Sequence, residues 1–225
     1  SSGYARPPMH QNRPSGTFGG PIVKNRTFFF GSYEALRLDA PVTVIASVPD
    51  LRSRRSAAAE LRPYLNAFPV PNGAELDDGA AEYRAVTINP SSSDSGSLRL
   101  DHVWSPKITL FGRYGYSPSS GVSRASEMVS ANMLSRRASR SHTFTVGGTK
   151  TSSPTKVQDL RVNFSESDSG GYSTMDNFGG AVALNEAEVF PKEVTSGSGG
   201  FGLTILGVGG YSLGSRTRSE QRQLN

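Results

Sequence analysis

The chain has 225 residues, a formal net charge of +5 and a sequence pI near 9.6, with 35% hydrophobic and 19% charged residues. Gly, Pro and Ser fill nearly a third of it, which pulls the apolar share below the roughly 45–50% of an ordinary soluble domain, yet 11 Phe, 8 Tyr and one Trp are more aromatics than a disordered chain carries. This balance excludes a large soluble core, no apolar run approaches the ~18 residues of a transmembrane helix, and zero cysteines exclude a disulfide framework or thiolate zinc.

Ser1–Tyr4 lacks the basic region and apolar core of a secretory signal, and Arg216–Asn225 stops in an alternating polar run. Both ends look cut, so a fragment of a longer polypeptide is expected. From Thr17 the apolar pattern takes period two, the mark of a half-buried strand. Strands are predicted at about 17–23 and 27–38, joined by the turn Lys24-Asn25-Arg26. Phe28, Phe29 and Phe30 put aromatics on both faces, which leaves the inward side of this hairpin undecided.

A loop is then predicted over 39–96. Within it Leu51–Asn66 suggests a short helix centred on Ala57–Leu61 and limited by Pro63, followed by an extended, rigid segment Phe68–Gly73. Arg52, Arg54 and Arg55 form its basic cluster. Like the smaller group Arg136, Arg137 and Arg140, they have no aromatics between them for base stacking. Both clusters read as solvated loop faces, and no nucleic-acid partner is expected.

The second hairpin pairs 97–104 with 108–117. Leu98, Leu100, His102 and Trp104 share one face with Ile108, Leu110, Gly112, Tyr114 and Tyr116. Arg99 and Asp101 share the other with Thr109, Phe111 and Arg113. The three-residue turn Ser105-Pro106-Lys107 would pair Trp104 with Ile108. A loop over 118–140 leads to the third hairpin, 141–150 and 156–166, around the turn Thr151–Thr155. Here His142, Phe144, Val146, Leu160, Val162 and Phe164 alternate with Asp159, Arg161 and Asn163. The Gly-rich loop 167–215 follows, its apolar part Phe201–Tyr211 being either a strand or a packed loop. Residues 216–225 open a seventh strand.

Short turns at one end and long loops at the other are the layout of outer-membrane β-barrels. The predicted fold is therefore all-β, with antiparallel up-and-down hairpins forming part of a large transmembrane barrel. Trp104 and the pair Tyr114 and Tyr116 would mark the two membrane interfaces, and Arg99, Asp101, Arg113, Asp159, Arg161 and Asn163 a polar ladder facing the lumen.

Phe18-Gly19-Gly20-Pro21-Ile22-Val23-Lys24-Asn25-Arg26-Thr27-Phe28-Phe29-Phe30-Gly31-Ser32-Tyr33-Glu34 closely resembles the first barrel hairpin of TonB-dependent outer-membrane receptors of the Oar-like group. Leu98-Arg99-Leu100-Asp101-His102, leading to Leu110-Phe111-Gly112-Arg113-Tyr114, is similar to the next hairpin of that group, and Phe68-Pro69-Val70-Pro71-Asn72 looks like its recurring loop motif. The resemblance implies a plug inside a 22-stranded barrel and transport driven by the TonB complex through an N-terminal region not evident here. It makes residues 1–16 the tail of a plug-to-barrel connection and 17–225 a part of the barrel. It also implies outer-membrane lipid as surroundings and an unidentified substrate, taken up or exported.

Other motifs read as structure. Gly197-Ser198-Gly199-Gly200-Phe201-Gly202 satisfies the dinucleotide fingerprint formally, but no strand precedes it and no helical pattern follows. Gly148-Thr149-Lys150-Thr151 is half a phosphate loop inside a strand pattern. Ser153-Pro154-Thr155-Lys156 matches a Ser-x-x-Lys nucleophile pattern, which would make a serine hydrolase, yet Pro154 argues for a turn. His10, His102 and His142 lack metal spacing, and Asp77, Asp78, Glu186 and Glu188 are too few for a calcium loop. No enzymatic activity, cofactor or metal is expected. The competing expectation is a secreted or surface-exposed β-rich adhesin whose loops bind a ligand.

Overall fold

The structure, a computed structural model, describes residues 8–124, 128–214 and 216–225, without the Glu186 side chain. Residues 1–7 of the expected tail, 125–127 of the 118–140 loop and 215 of the 167–215 loop lie outside the described residues. The strands are β1 His10–Asn12, β2 Ser15–Val23, β3 Thr27–Pro49, β4 Ala80–Ser105, β5 Ile108–Arg124, β6 Met133–Ser153, β7 Lys156–Met175, β8 Phe201–Ile205, β9 Gly209–Leu213 and β10 Arg216–Leu224. Among the described residues three short α-helices, α1 Leu51–Ser56, α2 Arg62–Asn66 and α3 Glu186–Val189, and a 3-10 turn at Phe178–Gly180 lie in the connections. No helix is long and apolar enough to cross a membrane among the described residues.

One antiparallel meander runs β1-β3-β4-β5-β6-β7-β10, with β2 also pairing β3. β1 and β2 lie end to end along one edge of β3, where Gln11 opposes Leu38 and Thr17 opposes Ser32. Pro14 separates them, and its carbonyl accepts from the Ala35 amide at 2.9 Å. Pro21 sits on the same edge, the place in a sheet where proline is tolerated.

β3 to β7 are 23, 26, 17, 21 and 20 residues long. A tilted strand needs only about 9–11 to cross a bilayer. The expected loops 39–96, 118–140 and 167–215 therefore shrink to connections over 50–79, 125–132 and 176–215. Pro41, Pro90 and the run Ser91-Ser92-Ser93 break the apolar alternation that marks a strand. Pairing nevertheless continues in unbroken register, Pro41 opposite Ile88 and Val44 opposite Ala85, because the ladder satisfies backbone groups whatever the side chains.

The three short turns share one construction. The strand entering each turn drops a single residue from the ladder just before it: Ile22, Trp104 and Ser152. Ser105, not Trp104, thus opposes Ile108, and Ser153 opposes Lys156. Such a bulge absorbs one residue without turning the rest of the strand over. In the last two turns the serine hydroxyl accepts an amide two residues on, from Lys107 and from Thr155, both at 3.3 Å. Asn25, in the first, takes a left-handed φ of 57°, a conformation asparagine tolerates well.

At the other end the connections fold into a cap. α1 begins at Asp50, whose carboxylate accepts from the Ser53 amide at 2.5 Å. Ala57–Leu61 lies between two helices rather than at the centre of one, and Pro63 opens α2 rather than limiting a helix. A proline fits the first helical turn, where its missing N–H has no partner to lose. Phe201–Tyr211 resolves into the hairpin β8–β9. Val44, Ala46 and Val48 of β3, Tyr83 of β4 and Met133 of β6 pack there with Ala67, Phe68, Ala131 and Tyr211. The apolar core of the chain is this cap, and near the turns Leu98, Leu100 and Leu110 stay exposed.

Candidate functional site

Registered neighbours in a ladder project to the same face, so the pairing sorts every side chain. On the first face Arg99 opposes Arg113, Arg113 opposes Thr145, and Thr145 opposes Asn163. The adjacent row on that face is Asp101, Phe111, Gly147 and Arg161, and the next holds Thr109, Thr149 and Asp159. All six residues expected in the ladder stand on this face. Arg99 pairs with Asp101 at 2.7 Å and Arg161 with Asp159 at 3.1 Å. Asn163 accepts from the Thr145 hydroxyl at 2.8 Å. The Arg99 guanidinium also lies over the Phe111 ring, 4.3 Å from its centroid. Phe111 finds room because Gly147 faces it; a Cβ there would come within 2.6 Å of the ring.

Phe28 and Phe30 join this face, opposite Asp101 and Arg99, while Phe29 opposes Leu100 on the other, which decides the hairpin left open by sequence. Toward the cap the same face becomes a wall of hydroxyls. Ser93, Ser119, Ser139, Ser169 and Ser219 form one row across five strands. Ser117, Ser141, Ser167 and Gln221 form the row beneath it, and Ser117 donates to Ser95 at 3.2 Å. These serines escaped the sequence reading because serine runs look like loop. Their spacing of two was the available signal.

The second face is apolar near the turns. Leu98, Tyr114, Phe144, Phe164 and Leu224 share one row, and Leu100, Gly112, Val146 and Val162 the next. Trp104, 65% exposed, stands at the turn end beside His102, with ring centroids 6.0 Å apart. Tyr114 and Tyr116 stand at the far end around His142: the Tyr114 hydroxyl meets Nδ1 at 2.7 Å, and the Tyr116 ring is 4.7 Å away. The eight steps from Gly96, opposite Tyr116, to Trp104 span about 27 Å of strand, which a tilt of roughly 40° projects onto about 21 Å. An apolar band of that height, closed by aromatics at both ends, suits the hydrocarbon layer.

The cap is held by buried polar groups. Arg54, expected in a solvated face, is buried and donates to the carbonyls of Pro49 and Phe68 at 3.0 Å each and of Pro69 at 2.5 Å. It clamps the Phe68-Pro69 segment onto the end of β3, and burial pushes its guanidinium below the usual arginine range. Arg52 and Arg55 are exposed, as expected. Fully buried Asn132 donates to the Ala67 and Asp176 carbonyls at 2.9 and 3.0 Å and accepts from the Ser130 hydroxyl. Arg124 grips Asp176 with two bonds of 2.8 and 2.6 Å and lies 4.1 Å from the Phe178 centroid. That grip holds the Asp176 carboxyl below the usual carboxylate range. Among the described residues no buried side-chain polar atom lacks a partner.

The weaker motifs fall where their turns put them. Ser153 ends β6, its hydroxyl 3.3 Å from that of Thr155 in an exposed turn, with Lys156 opposite in the ladder. Gly197–Gly202 runs from a loop into β8, with no helix behind it. His102 bonds the Thr27 hydroxyl at 2.9 Å, and His10 lies on the edge strand β1.

No curated protein and no solved structure matches the chain. The family model described as outer membrane beta barrel domain matches residues 1–63 and 53–225, together the whole chain. A meander of membrane-length strands, apolar on one face and polar on the other, and this match lead to one conclusion: the chain belongs to the outer membrane beta barrel domain family and resides in the outer membrane.

Proposed function

We propose that this chain forms barrel wall and surface cap of a TonB-dependent receptor, a transporter that moves a large or scarce substrate across the outer membrane by energy-coupled uptake or export. The observation that carries the reading is the side on which the cap sits. Val44, Ala46 and Val48, which seat the cap, share their face of β3 with Phe28 and Phe30, and so with Arg99 and Asp101. Met133 likewise shares its face with the serine rows. In this reading that shared face is the lumen side, so the connections fold where a substrate entering the barrel meets them first.

Two further features support the reading. The Phe18–Glu34 hairpin resembles the first barrel hairpin of that receptor group, and the sheet is open. β1 and β2 form one edge and β10 the other, and an exposed edge invites further pairing. A wide barrel closed by additional strands around a plug satisfies both edges and gives the Arg–Asp ladder a polar surface to face. In this reading the wall and cap carry out no chemical catalysis and hold no cofactor; binding and gating are their work.

The test uses the full-length protein in a Gram-negative host. The expected result is heat-modifiable mobility in outer-membrane fractions, together with site-specific cross-links to periplasmic TonB. A heat-modifiable barrel that never cross-links to TonB yet captures a ligand on its surface would replace transport by the adhesin reading.

A further inference from the structure

The apolar face does not end at its aromatics. One row beyond Tyr116 and His142 come Arg140 and Asp168. The next row begins at Arg37 on β3, crosses only the small residues Ser92, Ser120, Ala138 and Gly170, and ends at Arg218 on β10. The row after that carries Arg136, Tyr172 and Arg216. Low residues in the middle and long ones around them leave a groove of about 1160 Å³. Five arginines, Arg37, Arg136, Arg140, Arg216 and Arg218, project from this face to line it, against Asp39 and Asp168. Arg140 and Arg218 share Asp168 at 2.8 and 3.5 Å, and Asp94 holds Arg37 at 2.9 Å. Arg136 and Arg216 take part in no ion pair among the described residues; Arg216 lies 5.8 Å from the Tyr172 centroid.

We propose that this groove holds the phosphorylated headgroup of a glycolipid from the outer leaflet of the same membrane. The groove continues the lipid-facing band on its cap side, so a lipid whose chains lie against Phe144 and Phe164 raises its headgroup along Tyr116 into the arginines. Guanidinium groups match phosphate oxygens in a two-point grip, stronger than a neutral hydrogen bond. The small floor leaves space for sugar rings, and its volume exceeds what a bare phosphate fills. Arg136 and Arg216, held in no ion pair among the described residues, supply the attraction, with the Asp176 carboxylate near enough to Arg136 to act on it electrostatically. Asp168 steers Arg140 and Arg218 toward the groove between their strands.

Native mass spectrometry of the full-length protein in detergent tests this with three probes: diphosphoryl lipid A, the same lipid without phosphates, and inorganic phosphate. The proposal expects retention of the diphosphoryl lipid, loss of at least roughly tenfold in affinity without the phosphates, and a similar loss in the double variant Arg136→Gln and Arg216→Gln. The pair Lys24→Gln and Arg26→Gln, at the opposite end of the wall, should retain the lipid as wild type does. Equal retention of both lipids, full retention by the Arg136/Arg216 variant, or displacement by inorganic phosphate at comparable concentration would each overturn it. The comparison of lipids on the unmodified protein decides the matter even where a variant fails to fold.

Discussion

Replacing Arg54 by Met isolates what holds the cap to the wall. Methionine keeps an unbranched stem of similar reach and removes the three hydrogen bonds to Pro49, Phe68 and Pro69. Each buried carbonyl left without a donor costs about 1–1.5 kcal/mol, allowing for some water entering the space. Three of them amount to about 3–4.5 kcal/mol. Burying the guanidinium charge opposes the native arrangement, as its lowered pKa shows, so the lower figure is the better expectation. A cap opening about 3 kcal/mol easier is populated roughly 100-fold more often.

Hydrogen exchange on the full-length protein in detergent micelles reads this directly. The amides of Val70, Val182 and Ser130, which bond to Gly179, Asn66 and Gly210 across the cap, should exchange about 100-fold faster. Amides of β5 and β6 near their turns should not change, because the cap core does not reach them. Arg54→Lys should fall between, since one ammonium cannot span three carbonyls. Cap amides accelerated less than about fivefold in Arg54→Met, or a lysine variant as protected as wild type, would refute the clamp.

Other consequences concern the core, the band and the pH response. Phe68→Ala, in a fully buried position, should cost the cap about 3–5 kcal/mol, whereas Leu206→Ser at a 94% exposed turn should stay within about 0.5 kcal/mol by the same exchange measurement. Val146→Arg, near the middle of the apolar band, should destabilise the folded barrel by about 2–4 kcal/mol in denaturant titrations, and Arg113→Gln on the polar face by less than about 1 kcal/mol. Gly147→Leu should lower the heat-modifiable folded fraction, because a Cβ already meets the Phe111 ring and the Leu160 carbonyl at 2.6 and 2.7 Å. Asp176 has a depressed folded pKa, so its grip by Arg124 adds stability that is complete above the unfolded value of about 3.9 and fades as pH falls through the folded one. Protection of the cap amides, taken relative to their intrinsic exchange rate at each pH, should thus fall below about pH 4, and Asp176→Asn should remove that loss.

The alternation in residues 97–117 and 141–166 was enough to give the hairpins and their two faces, with Arg99, Asp101, Arg113, Asp159, Arg161 and Asn163 together on one of them. Period two leaves no freedom once neighbouring strands pair. It failed where side chains stopped alternating: residues 39–49 and 80–96 carry prolines and serines, and only their ladder reveals them as strand. Arg54 shows the same limit in the cap. Its neighbours Arg52 and Arg55 are solvated, and nothing local distinguishes the one that three distant carbonyls capture.

The low hydrophobic fraction, the aromatics and the Ser–Pro turns are properties of the chain itself, and they determined a two-faced wall with short turns at one end. Those features act between residues one or two apart, so they can be read along a line. The serine rows, the cap core around Phe68 and Tyr211, and the arginine groove join residues from four or more segments. Only the tertiary structure decided these, because strand register and the close packing of the cap set which distant side chains share a row or a contact.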